Sequence, residues 1–128
     1  MSEPDTTIVA DLEAGIGTLS RLPEESVDVV VVVVEPTPRS VDVARRAITV
    51  AAEKKQGSII VLVNKVADDD DHQRVIDGLA GYRDRYRELI VVPRDEVVDQ
   101  ADRRGLSPVD LDPASPAVQA IEKLMAFL

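Results

Sequence analysis

A chain of 128 residues supplies one domain's worth of polypeptide, and its 15 basic against 24 acidic residues leave a formal net charge of −9. That charge repels phosphate backbones and anionic lipid surfaces, so no nucleic-acid partner and no stable membrane insertion are expected. With no cysteine there is neither a disulfide framework nor a thiolate metal site, and with one Phe and two Tyr the core must be aliphatic, the mixture of a buried parallel sheet flanked by helices.

In chain order, residues 7–10 are β-prone and close on Asp11, and residues 27–34 form a longer β-branched run closed by Glu35 and Pro36. Both predict strands. Thr37 or Ser40 caps the next helix, whose Val41, Ala44, Ala47, Ile48, Ala51 and Ala52 keep the 3.6-residue period until Lys54, Lys55 and Gly57 end it. Residues 58–63 predict a third strand, near-continuously apolar and so covered on both faces, with Asn64 and Lys65 at its exit. A second helix starts within the aspartate run 68–71 and carries Val75, Ile76 and Leu79, while Gly78 and Gly81 weaken its far end. Residues 89–92 predict a fourth strand, stopped by Pro93. A short helix over 96–104 ends at Gly105, and a Pro- and Asp-rich connector leads to a last helix. Ser115 caps that helix, Pro116 opens it, and Val118, Ile121, Leu124, Met125 and Leu128 form one apolar stripe.

This alternation predicts a single α/β domain over 1–128, with an open, mainly parallel sheet of about four strands flanked by helices. Ligands of such sheets lie beyond the carboxyl ends of the strands. The residues there are Asp11, Glu35, Asn64 and Asp95. The start MSEPDTTIV has neither a basic head nor a long apolar stretch, and the longest apolar run, 29–34, is far short of a bilayer span, so a cytoplasmic protein is expected.

Two other clusters invite a site. The run Asp68 to Asp71 before His72 lacks the alternating ligand spacing of a calcium loop and reads as an acidic helix start. The segment YRDRYRE reads as packed tyrosines with exposed charges, in preference to a stacking surface for nucleic acid.

The segment ADLEAGIGTLSR resembles the switch region of the MinD/ParA group of deviant-Walker ATPases, most closely its CooC-type members. VDVVVVVVEPTPRSVDVARRA is similar to the next strand and helix of that family, VLVNKV to its base-recognition strand, and VVPRDEVVDQADRRG to its Pro-any-Asp loop and short helix. Four segments in the family's order imply the rear, C-terminal half of a P-loop NTPase-like three-layer α/β/α domain. By this resemblance ATP or ADP and Mg are the implied cofactors. Asp11 takes the place of the carboxylate that holds the magnesium's water shell, fitting a hard cation's preference for oxygen. Gly15 takes that of the glycine whose N–H approaches the terminal phosphate. Asn64 matches the amide that reads the adenine edge as donor and acceptor, and Pro93 and Asp95 match the loop flanking the base. Taken without the family, Asp11 also reads as a strand-end cap, Gly15 as a turn, Asn64 as a polar strand terminus and Pro93 as punctuation.

The departures matter as much. Gly17 and Thr18 stand where the family often carries an acidic residue and a histidine, and none of the 128 residues form a GxxxxGK[ST] phosphate loop. Without that loop's lysines, Asp11 and Glu13 oppose a triphosphate by about 4 kcal/mol per close like-charge pair. The expectation is a truncated, split or degenerate nucleotide-binding domain that does not hydrolyse ATP alone and contributes to a composite site. The alternative is a non-enzymatic protein-interaction module on the same scaffold. In the resembled fold the phosphate-loop strand lies between the strands ending at Asp11 and Glu35, so a homo-oligomer or a partner subunit is expected to replace it.

Overall fold

The structure is a computed structural model, and it describes residues 6–11, 27–54 and 57–128. Three strands form a parallel sheet in the order β1 (Val29–Val34), β2 (Ser58–Val66), β3 (Glu88–Pro93). Helix α1 (Pro38–Lys54) joins β1 to β2. Helix α2 (Asp69–Gly78) and a 3-10 turn at Ala80–Tyr82 join β2 to β3. Three helices follow: α3 (Glu96–Arg104), the single turn α4 (Pro108–Leu111) and α5 (Pro116–Met125).

The central strand explains the layers. Every side chain from Ile59 to Val63 is buried, and successive residues of a strand face opposite sides. Ile59, Val61 and Val63 pack with Val32, Val34 and the α1 stripe Val41, Ala44, Ile48 and Ala51, joined by Val75 and Leu79 from the α2 end and by Tyr86. Ile60 and Leu62 pack on the other face with Ile90, Val92 and the small residues Ala117 and Ala120 of α5. The result is a three-layer α/β/α arrangement, with α1 and α2 on one face and α5 on the other. Placing consecutive strands side by side with their crossover helices on one face is the right-handed βαβ rule repeated twice.

Local chemistry sets the boundaries. Thr37 caps α1, its Oγ1 accepting from the Ser40 N–H at 3.2 Å, while Ser40 Oγ accepts from the Glu35 N–H at 2.8 Å. At the start of α2, Asp68 accepts from the Asp71 N–H at 2.8 Å and Asp71 accepts from the Ala67 N–H at 3.0 Å, so the aspartate run satisfies orphan helix donors. Gly57 turns the chain into β2 at φ 98°, and a Cβ there would strike the Asp28 carbonyl. Gly57→Ala is therefore expected to destabilise the fold by more than about 1 kcal/mol, a fall of roughly 3–6 °C in Tm that calorimetry would register.

Two sequence expectations are corrected. Residues 7–10 are coil, with Ile8 and Val9 exposed, and the sheet has three strands among the described residues where about four were expected. The residues have strand propensity, but a strand exists only through its ladder, and β1 offers them no pairing here. The stripe expected on the last helix is also rotated. The sheet takes Ala117, Ala120, Leu124 and Phe127, while Ile121, Met125 and Leu128 stay exposed, because alanines let the helix lie close to β2 and β3. The YRDRYRE segment behaves as expected: Tyr86 is buried, Tyr82 packs against the core, and Arg83 and Arg85 stack over the Tyr86 and Tyr82 rings at 4.9 and 5.1 Å. Among the described residues no helix is long and apolar enough to cross a membrane.

Candidate nucleotide site at the carboxyl edge of the sheet

Because the three strands run parallel, Glu35, Asn64, Pro93 and Asp95 all emerge at one edge of the sheet. That edge is irregular. The register of β2 against β3 runs evenly to Val63↔Val91 and resumes at Val66↔Pro93. Two residues, Asn64 and Lys65, therefore stand opposite Val92 alone, a β-bulge in which Lys65 takes φ 58°. Pairing continues beyond it, with the Arg94 N–H donating to the Val66 carbonyl at 2.8 Å. Pro93, which has no N–H to offer, sits where the ladder asks for none. β2 consequently overhangs β1, whose last pair is Val34↔Val63. Lys65 reaches back across the step, its Nζ 3.0 Å from Glu35 Oε1. Both groups are about half exposed, so the pair adds a few tenths of a kcal/mol and mainly holds the two strand ends in register.

Asn64 and Asp95 differ in how far they are committed. The Asn64 carboxamide is half-buried and has no hydrogen-bond partner among the described residues, so its donor and acceptor are unclaimed there. Asp95 has both oxygens engaged. Oδ1 accepts from the Val97 N–H at 3.0 Å, capping α3, and Oδ2 accepts from the Ala117 N–H at 3.0 Å in the first turn of α5. Those bonds, the Ala117 one first, and the Ser115 hydroxyl hold its carboxyl below the ordinary value of 3.8, against an opposing effect of burial. Ser115, nearly fully buried, caps α5 through the Val118 N–H at 3.3 Å. Asp95 therefore ties the loop after β3 to the helix on the opposite face, and it presents the backbone of residues 93–95 beside Asn64.

Asp11 ends the exposed coil 6–11 and is not joined to the sheet edge by any pairing of described strands. Gly15, and with it the switch-like segment from Leu12 onward, lies outside the described residues. Among the described residues no group of three His, Asp or Glu side chains comes together as a metal site, and the aspartate run is taken up by helix capping.

Sequence reasoning placed Glu35, Asn64, Pro93 and Asp95 at strand ends, as the structure has them, and missed the bulge and the Glu35–Lys65 pair. A run such as SIIVLVNKV carries no mark of a register shift, because Lys65, which takes the left-handed backbone, is not a residue type that favours it.

No family model matches the chain. An uncharacterised ATP-binding protein of Methanocaldococcus jannaschii is 31% identical over 124 residues, 97% of this chain and 46% of that protein. The carbon monoxide dehydrogenase accessory protein CooC of Rhodospirillum rubrum is 34% identical over 107 residues, 84% of this chain and 39% of that protein. The chain is a partial homologue of the MinD/CooC-type ATP-binding proteins. The MinD cell division protein of Aquifex aeolicus superposes with a TM-score of 0.57 at 25% identity, over 77% of this chain and 44% of that one, so the three-stranded sheet has a MinD-like P-loop NTPase fold. The chain spans less than half the length of the MinD/CooC-type relatives it matches, in keeping with the C-terminal half that the sequence segments imply. Its partial homology to MinD/CooC-type ATP-binding proteins supports a nucleotide-binding domain family.

Proposed function

We propose that these 128 residues form the base side of an ATP-binding site of the MinD/CooC type, completed by a phosphate-binding segment outside them. The observation that carries the reading is the uncommitted Asn64 amide, raised on a bulge beside a backbone loop that Asp95 holds rigid from two sides. A base needs an edge-reading group that both donates and accepts, next to backbone polar atoms fixed in place. The relatives supply the ligand class, since one is described as ATP-binding. In this reading Asn64 reads the adenine edge, Pro93 and the loop held by Asp95 flank the ring, Gly15 approaches the terminal phosphate and Asp11 holds the water shell of a magnesium ion. One carboxylate suits that ion, which keeps several waters and takes phosphate oxygens for the remainder.

The phosphate side lacks compensation. Lys65 is paired to Glu35, and no lysine-bearing phosphate loop is present in the 128 residues. ADP is therefore expected to bind the isolated chain no worse than ATP, the reverse of a site with a phosphate loop. Calorimetric titration is expected to show weak ADP binding that Asn64→Ala reduces roughly tenfold, the value of one or two well-placed hydrogen bonds. A flat trace at millimolar nucleotide would leave the protein-interaction module as the better account of the same scaffold.

A further inference from the structure

Because the strands run parallel, the segment 83–87 that leads into β3 lies at the amino edge of the sheet, the opposite edge from the candidate nucleotide site. Charge is settled differently there. Elsewhere the described ion pairs join Arg45 and Arg46 to Asp42, Lys65 to Glu35 and Arg74 to Asp71. Arg83, Arg85 and Arg87 are all exposed, and none has a carboxylate partner among the described residues, although Asp84 stands between two of them in sequence.

Aromatic rings hold these arginines instead. Arg83 lies over Tyr86 at 4.9 Å, Arg85 over Tyr82 at 5.1 Å and Arg87 over Phe127 at 5.3 Å. Two are fixed further, Arg83 donating to the Tyr86 carbonyl at 3.1 Å and Arg85 to the Thr49 hydroxyl at 3.4 Å. Tyr82 and Tyr86 pack with the core under α1, and Phe127 packs with the core under α5. The three guanidiniums therefore form a ridge across the edge from one helical layer to the other.

We propose that this ridge docks an acidic segment of a partner protein, whose carboxylates are taken by Arg83, Arg85 and Arg87. A guanidinium has five N–H donors, so the single bond that Arg83 and Arg85 each make leaves most of the fork open. A side chain already held on a ring has less rotamer freedom to lose on binding, and an arginine fork meets a carboxylate in two parallel bonds. Nucleic acid fits worse. The rings are spent on the arginines and the core, leaving no stacking face for bases. An extended polyanion also meets the field of the whole chain, whose net charge is −9. A short acidic segment meets mainly the charges within a Debye length, about 8 Å at physiological salt.

This goes beyond the nucleotide reading, and its test needs no nucleotide. A fluorescent hexaglutamate peptide is titrated with the 128-residue protein at low ionic strength, and binding is read by anisotropy. Saturable binding is expected, weakened about fivefold by each of Arg83→Ala, Arg85→Ala and Arg87→Ala, the value of one charge-assisted bond in water. The corresponding lysine variants keep the charge and lose the fork, so they fold as the wild type does and weaken binding less. Arg103→Ala combined with Arg104→Ala removes two exposed arginines of α3 outside the ridge and is expected to leave binding unchanged. The proposal is overturned by the absence of saturable binding, or by binding that the ridge variants leave intact. It is equally overturned if the Arg103 and Arg104 pair matters as much, or if duplex DNA or anionic vesicles are held through the same arginines more tightly than the peptide.

Discussion

Purified protein incubated with magnesium and ATP is expected to release no phosphate above a buffer blank, and Asp11→Ala is expected to change nothing in that assay. Phosphoryl transfer is mostly positioning and charge neutralisation, supplied by a backbone cradle, a lysine and a metal held by a hydroxyl. The 128 residues contain no GxxxxGK[ST] segment to supply them. What they present at the carboxyl edge is Glu35, already satisfied by Lys65, and the carboxylate of Asp95, already satisfied by two helix N-termini. Each unneutralised carboxylate brought within about 4 Å of a phosphate opposes binding by about 4 kcal/mol at an effective dielectric near 20, roughly a thousandfold in affinity. Phosphate release well above the blank, abolished by Asp11→Ala, would refute this account. Release that appears only when a phosphate-binding segment is supplied would support it.

The second large effect concerns Asp95. Asp95→Ala is expected to loosen both α3 and α5, because one carboxylate supplies the acceptor for Val97 at the start of one helix and for Ala117 at the start of the other. Hydrogen exchange should quicken in α5 and in β3 while α1 stays protected, since α5 alone covers Ile60, Leu62, Ile90 and Val92. Acid titration separates charge from contact. The folded carboxyl is held below its ordinary 3.8, so the stabilisation it gives is fully present above that value and is lost as pH falls through the lower, folded value. Asp95 should therefore contribute to the fall of wild-type Tm in this acid range, and Asp95→Asn should lessen that fall while keeping part of the contact. An acid limb equally steep in Asp95→Asn would assign the stabilisation elsewhere.

Much of the fold was legible because its signals are local. The β-branched runs at 29–34 and 58–63, the period of α1, and the Ser-Pro start of α5 each specify their element within a few residues. What escaped depends on neighbours. The run 7–10 has the same composition as a strand and fails to be one among the described residues because a ladder needs a second member. Met125 and Ile121 look like core positions by spacing, and they remain exposed because the sheet takes the neighbouring stripe Ala117, Ala120 and Leu124. The site divides in the same way. That Asn64, Pro93 and Asp95 stand at the strand ends was readable from their position after apolar runs, whereas the tie from Asp95 to Ala117 spans 22 residues and follows only once α5 has crossed to the far face.

Lys65 shows how the edge of the sheet is maintained. A left-handed backbone at a bulge is the natural place for glycine, and any other L residue there carries a penalty of about 1 kcal/mol. If the turn of the chain were all that mattered, glycine would give the same path without that penalty. The side chain keeps an ammonium at the lip of the sheet, where its partner Glu35 is a strand away and half in water. The pair leaves neither charge at that lip without its counterpart. The strained backbone thus fixes where the neutralised carboxylate stands.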